Sequence, residues 1–133
     1  MILPLLIILA TTFSAPAPLS ADAETGVLQN PQTLGAYVRQ YYADTPILAD
    51  IAWCESRIRQ WDKEGNVFRG AVNHFDVGVM QINTLYHEEK AVDLDMDLYT
   101  LSGNLAYAKH LYDKEGTKPW ASSEACWGKV AVK

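Results

Sequence analysis

Cys54 and Cys126 are the only cysteines in the chain, and together they restrict the fold more than any other pair of residues. If both oxidise within one molecule, the connectivity has a single solution. That bond would tie the middle of the chain to its C-terminal end. Closing a loop of about seventy residues contributes roughly 4 kcal/mol in the chain-entropy model, a large share of the stability of a domain with a modest core. A two-cysteine metal site is the rival arrangement, but neither cysteine has paired ligands nearby. No metal and no cofactor are expected.

The N-terminus bears on the redox setting. Ile2 to Phe13 is an apolar run, and the stretch from Ser14 to Ala23 is rich in small residues. This reads as a secretory leader over residues 1–23, with cleavage after Ala17, Ala21 or Ala23. A dozen apolar residues are few for a bilayer-spanning anchor, so stable membrane insertion is not expected once the leader is removed. A secreted, periplasmic or cell-wall-associated protein follows, and in those settings a disulfide persists. Residues 24–133 suit one domain, expected to be monomeric. The 133 residues carry a net charge of −5, and no basic stripe with interleaved aromatics appears, which argues against a nucleic-acid partner. Four Trp and seven Tyr offer flat apolar faces that suit sugar rings as well as a core.

Hydrophobic spacing predicts mostly helix. Asn30-Pro31 opens a first helix with Leu34, Tyr37, Val38 and Tyr41 on one face. A second, capped by Asp44 or Thr45 with Pro46 in its first turn, carries Leu48, Ile51, Glu55 and Ile58 at helical spacing, with Gly65 as its stop. From Gly65 to Ile82, glycines at 65, 70 and 78 punctuate short β-branched runs and predict an irregular loop or small β-hairpin. Asn83 or Thr84 caps a helix toward Val92. Leu101 to Lys114 reads as a buried helix ended by Gly116, and Pro119-Trp120 starts a last short element carrying Cys126 and Trp127. The fold class is therefore mainly α, with a minor extended lobe and a cleft beside it.

Glu55 lies on an apolar helix stripe directly after Cys54. Burial there disfavours the charged form and raises the pKa, as a proton donor at neutral pH requires. The plainer alternative is a helix-edge glutamate whose head reaches water. The second polar segment is Asp76-Val77-Gly78-Val79-Met80-Gln81-Ile82-Asn83, where amides sit among apolar residues and would be costly to bury unpaired. His74, His87 and His110 fall on separate elements without a His-Glu-x-x-His spacing and read as solvated surface. No Gly-x-Ser-x-Gly elbow supports a serine hydrolase.

Taken together, Cys54-Glu55-Ser56 and the Asp76 to Asn83 segment resemble the lysozyme-like superfamily, in particular the soluble-type lytic transglycosylases, over about residues 46–127. The glutamate-serine pair at a helix end, followed by glycine-x-methionine-glutamine-isoleucine, is similar to their signature, and Asn104 to Tyr112 is similar to their next helix. The spelling from Asp76 to Asn83 also resembles animal-type lysozymes and the small transglycosylases of secretion systems and pili. The cysteine-glutamate-serine run with a late partner cysteine resembles the resuscitation-promoting factors.

The resemblance implies an α+β lysozyme-like fold, a peptidoglycan substrate, and Glu55 as the acid that protonates the MurNAc–GlcNAc glycosidic oxygen. In a transglycosylase the same carboxylate then acts as base and a 1,6-anhydro end forms. In a hydrolytic muramidase a second carboxylate takes part, and Asp76 stands at that position; a turn-stabilising role fits Asp76 equally well. Gln81 is expected to line the cleft. Asn83 is either a cleft residue or a helix cap, and Ser56 either orients the acid or is an ordinary helical serine. Met80 would be a wall residue near the acid, and Tyr107 and Trp120 either stack on sugars or fill the core. An inert saccharide-binding domain that kept the cleft is the alternative outside enzymology.

Overall fold

The computed structural model describes residues 33–130, so the expected leader and the Asn30-Pro31 helix start lie outside the described residues. Helix α1 spans Leu34–Tyr41, capped instead by Thr33, whose side chain accepts from Ala36 N. Helix α2 spans Ile47–Ser56. Strands β1, Asp76–Val77, and β2, Ile82–Asn83, form a two-stranded antiparallel ladder pairing Asp76 with Asn83 and Val77 with Ile82. Helices α3, Thr84–Asp93, and α4, Leu101–Glu115, follow. A 3-10 segment, Lys118–Ser123, leads into α5, Glu124–Val130. The expected mainly helical chain with a minor extended lobe is the observed one.

Several boundaries hold for the predicted reasons. Asn83 caps α3 by accepting from Leu85 N. Gly116 ends α4, whose N-cap, not anticipated from the sequence, is Thr100, accepting from Gly103 N.

Helix α2 departs from expectation at both ends. Pro46 is its N-cap without a side-chain bond, because Thr45 Oγ1 donates to Asp44 Oδ1 instead. The helix stops at Ser56, not near Gly65. Arg57 and Ile58 both turn left-handed, with φ of 56° and 55°, and Ile58 N donates back to Ala52 O, closing the last turn. Gly65 instead serves the turn between the bridged residues Trp61 and Val67.

The core gathers Val38 and Tyr42 from the α1 end, Leu48, Ile51 and Ala52 from α2, and Leu105 and Ala108 from α4. Val77, Val79, Met80 and Ile82 join them from the extended lobe. Tyr42 donates its hydroxyl to Leu105 O, linking the first and fourth helices at a buried point.

The turn between the strands is held by side chains more than by its own ladder. Asn104, fully buried on α4, accepts from Met80 N and donates to Val77 O and Leu98 O. Gln60, also fully buried, accepts from Val79 N and donates to Tyr99 O. Ser56 donates to Val79 O, and Trp120 Nε1 to Met80 O. Gly78 has φ of 73°, and a Cβ there would press on Asn104 and within 2.7 Å of Gln60 Oε1. Only glycine fits.

The disulfide joins Cys54 on α2 to Cys126 on α5, with Cα atoms 5.9 Å apart. Reduction should lower the melting temperature by about 15 °C or more, from a loop-closure contribution near 4 kcal/mol; calorimetry with and without reductant measures it. Asn104→Leu leaves three backbone groups without their buried partner and should cost about 3 kcal/mol or more in denaturant unfolding.

Candidate functional site

Glu55 occupies the last turn of α2. The fully buried positions of that helix are Leu48, Ile51, Ala52 and Ser56, so Glu55 flanks the buried stripe rather than sitting in it, and is half-buried. Its surroundings are completed from the opposite end of the chain. The Cys54–Cys126 bond holds α5 and the preceding 3-10 segment against α2, and Ser123 Oγ donates to Glu55 Oε1 at 2.5 Å. Burial pushes the Glu55 pKa above the usual carboxylate range. The Ser123 hydroxyl pulls it down, and the nearby Asp76 charge pushes it up.

A cavity of about 120 Å³ opens beside this carboxyl, lined among others by Glu55, Asp76, Gln81, Asn83, His87 and Trp120. Asp76 and Asn83 are partners in the ladder, and Asn83 Nδ2 donates to Asp76 Oδ1 at 2.8 Å. Asn83 therefore caps α3 with its oxygen and holds Asp76 with its nitrogen. Gln81 adopts φ of 49° and donates through Nε2 to Gly78 O. A Cβ on Gly70 would lie 2.9 Å from Gln81 Oε1 and 3.4 Å from Asp76 Cβ, so glycine lets the chain at residue 70 approach the site closely. A larger hollow, about 830 Å³, lies elsewhere and is lined among others by Trp61, Phe68, Arg69, Gly70 and Tyr99. It holds no part of the acid, yet it reaches the site's edge at Gly70.

The structure places five of the sequence-derived candidates more narrowly or elsewhere than expected. Ser56 is buried and bonded to Val79 O and Ala52 O, so it anchors the turn instead of orienting Glu55. Met80 is fully buried, with both its backbone groups taken, and does not line the cavity. Tyr107 is a core residue whose hydroxyl meets His87 Nδ1 at 3.1 Å. Trp120 forms one wall of the cavity, but only 3% of its surface is exposed, too little for stacking on a sugar. His87, read as solvated surface, is half-buried and lines the cavity.

Sequence reasoning missed Ser123 entirely. A signal existed: Ser123 lies three residues before Cys126, and the disulfide brings that neighbourhood to Glu55. Among the described residues no cluster of His, Cys, Asp and Glu is arranged to hold a metal ion. Comparison of the chain with protein-family models, curated proteins and solved structures returns no match.

The chemistry open to this arrangement is proton exchange at Glu55. Ser123 Oγ has two acceptors in reach, Glu55 Oε1 and, at 3.2 Å, Trp120 O. An ionised Glu55 draws the hydroxyl proton. A neutral Glu55 can donate to Ser123 Oγ while that hydroxyl turns to Trp120 O. Both protonation states are accommodated without moving a backbone atom.

Ser123→Ala removes the hydrogen bond that favours the charged form, so Glu55 should titrate at higher pH in the variant than in the wild-type protein. Carboxyl-carbon NMR measures the shift, and an unchanged titration would refute this account of the carboxyl's surroundings.

Proposed function

We propose that the protein is a peptidoglycan-cleaving glycosidase of the lytic transglycosylase kind, with Glu55 acting first as acid and then as base. The observation that carries this reading is a half-buried carboxyl with a raised pKa, lining a polar cavity beside a second carboxyl. Such a group keeps its proton closer to neutral pH than a surface glutamate does. Its hydroxyl partner serves both of the states through which an acid–base catalyst must pass.

The reaction balances with one carboxyl. Glu55 gives its proton to the oxygen between MurNAc and GlcNAc, and the C1–O bond breaks through an oxocarbenium-like state. The C6 hydroxyl of the same MurNAc attacks C1 and returns its proton to Glu55. The products are a GlcNAc 4-hydroxyl and a 1,6-anhydro end, with no water consumed. Asp76 stabilises the developing cation, and Gln81 and Asn83 offer amides near the reacting ring. The hollow with the half-exposed Trp61, meeting the site at Gly70, would take a flanking part of the glycan. A net charge of −5 does not favour an anionic wall, so affinity rests on these specific contacts. The disulfide suits action outside a reducing cytoplasm.

Hydrolysis is the second reading, favoured by one observation: Asp76 lines the same cavity as Glu55 and acts electrostatically on it. In that case Asp76 supports attack by water and the muramic ends are reducing.

Glu55→Gln should reduce cleavage of purified peptidoglycan by about a thousandfold or more with little change in melting temperature. Mass spectrometry of the wild-type digest should show anhydromuramic ends. Reducing ends alone would transfer the reaction to the muramidase route, and equal cleavage by wild type and variant would remove Glu55 from the chemistry.

A further inference from the structure

Tyr107 is 1% exposed, and a hydroxyl so placed has to donate its proton to something. Among the described residues its hydrogen-bond partner is His87 Nδ1, at 3.1 Å. A ring nitrogen that accepts carries no proton. The buried hydroxyl therefore selects the tautomer with hydrogen on Nε2. Protonating the ring would put a hydrogen on Nδ1 as well and leave the Tyr107 hydroxyl proton without an acceptor. His87 also lines the cavity that holds Glu55 and Asp76, and Nε2 makes no hydrogen bond within the described residues.

We propose that His87, locked by Tyr107 as a neutral imidazole, is a substrate-positioning donor in the Glu55 cavity, its Nε2–H taking an oxygen of the bound amino sugar, either an acetamide carbonyl or a hydroxyl. This rests on the glycosidase reading of the same site. A neutral donor suits the place better than a cation would: an imidazolium beside Glu55 would favour the carboxylate and weaken the acid. The surroundings keep the ring neutral. Burial holds the His87 pKa below its usual value, against the opposing pull of Glu115 on α4. Asp76 and Glu55 line the same cavity from β1 and α2. Tyr107 works one step back, as the residue that sets the tautomer.

Two measurements on the intact protein test the proposal. Long-range proton–nitrogen NMR at neutral pH should show His87 protonated on Nε2, and Tyr107→Phe should raise its titration midpoint by about half a unit or more, because the hydrogen bond to the neutral form is gone. An Nδ1–H pattern, or an unchanged midpoint, overturns the assignment without any substrate. On glycan strands, His87→Phe should raise KM about fivefold, the size of one lost neutral hydrogen bond, with kcat within about twofold. His87→Gln, which keeps an N–H donor, should recover most of that loss. In a wild-type titration with an N-acetylglucosamine tetramer, the Nε2–H resonance should move. Cleavage with KM unaltered in His87→Phe overturns this inference alone, whereas wild-type protein that neither binds nor cleaves overturns the glycosidase reading with it.

Discussion

The segment Val77 to Met80 sits at the centre of the molecule, and only Val77 and Gly78 of it pair with other backbone. Its remaining polar groups are satisfied by side chains from three directions: Asn104 on α4, Gln60 and Ser56 around the end of α2, and Trp120 in the 3-10 segment. In a low-dielectric interior each of these bonds is strong and each vacancy costly. The ladder of two residues per strand would be marginal by itself. With this cage the turn becomes rigid, and the residues on either side, Asp76 and Gln81, are aimed at one cavity. The geometry at the site is thus a by-product of solving a burial problem one residue away.

A second constraint acts from the other side. The disulfide holds the C-terminal segment on the end of α2, and that contact delivers Ser123 to Glu55. The acid therefore belongs to no single element. Its partial burial comes from α2 and the 3-10 segment, its hydroxyl partner from the approach to α5, and its charged neighbour from β1. Burial and Asp76 act to keep the proton on, and Ser123 acts to release it. These opposed influences suit the proposed role, in which one group first gives and then takes a proton. His87 and Tyr107 add a further long-range contact, a core hydroxyl 3.1 Å from the imidazole Nδ1 at the cavity.

Much of this was legible in the linear chain. The cap Asn83, the stop at Gly116 and the apolar spacing of α4 are local signals, because cap geometry and helical periodicity are set within one or two turns. The pairing of two lone cysteines needed only arithmetic. Glu55 stood out because its spacing put it on the apolar stripe of a helix, although the structure sets it at the edge of that stripe. The expectation failed at the end of α2. Arg57 and Ile58 take left-handed backbone that neither residue prefers locally, and no sequence pattern announces such a choice. It is stabilised where the chain turns to bring Gln60 under Val79.

Sequence by itself determined the mainly helical character, most helix positions and the one possible cysteine pairing, and it singled out Glu55 as a candidate, since these depend on neighbours a few residues apart or on a count. Tertiary structure alone decided which polar residues serve the fold and which face the cavity. Ser56 looked inward and Ser123 reached the acid; Tyr107 and Met80 joined the core, and His87 left the surface. A side chain's role is settled by whichever donor or acceptor burial brings within about 3 Å, and that partner lies up to 68 residues away, beyond what any local pattern encodes.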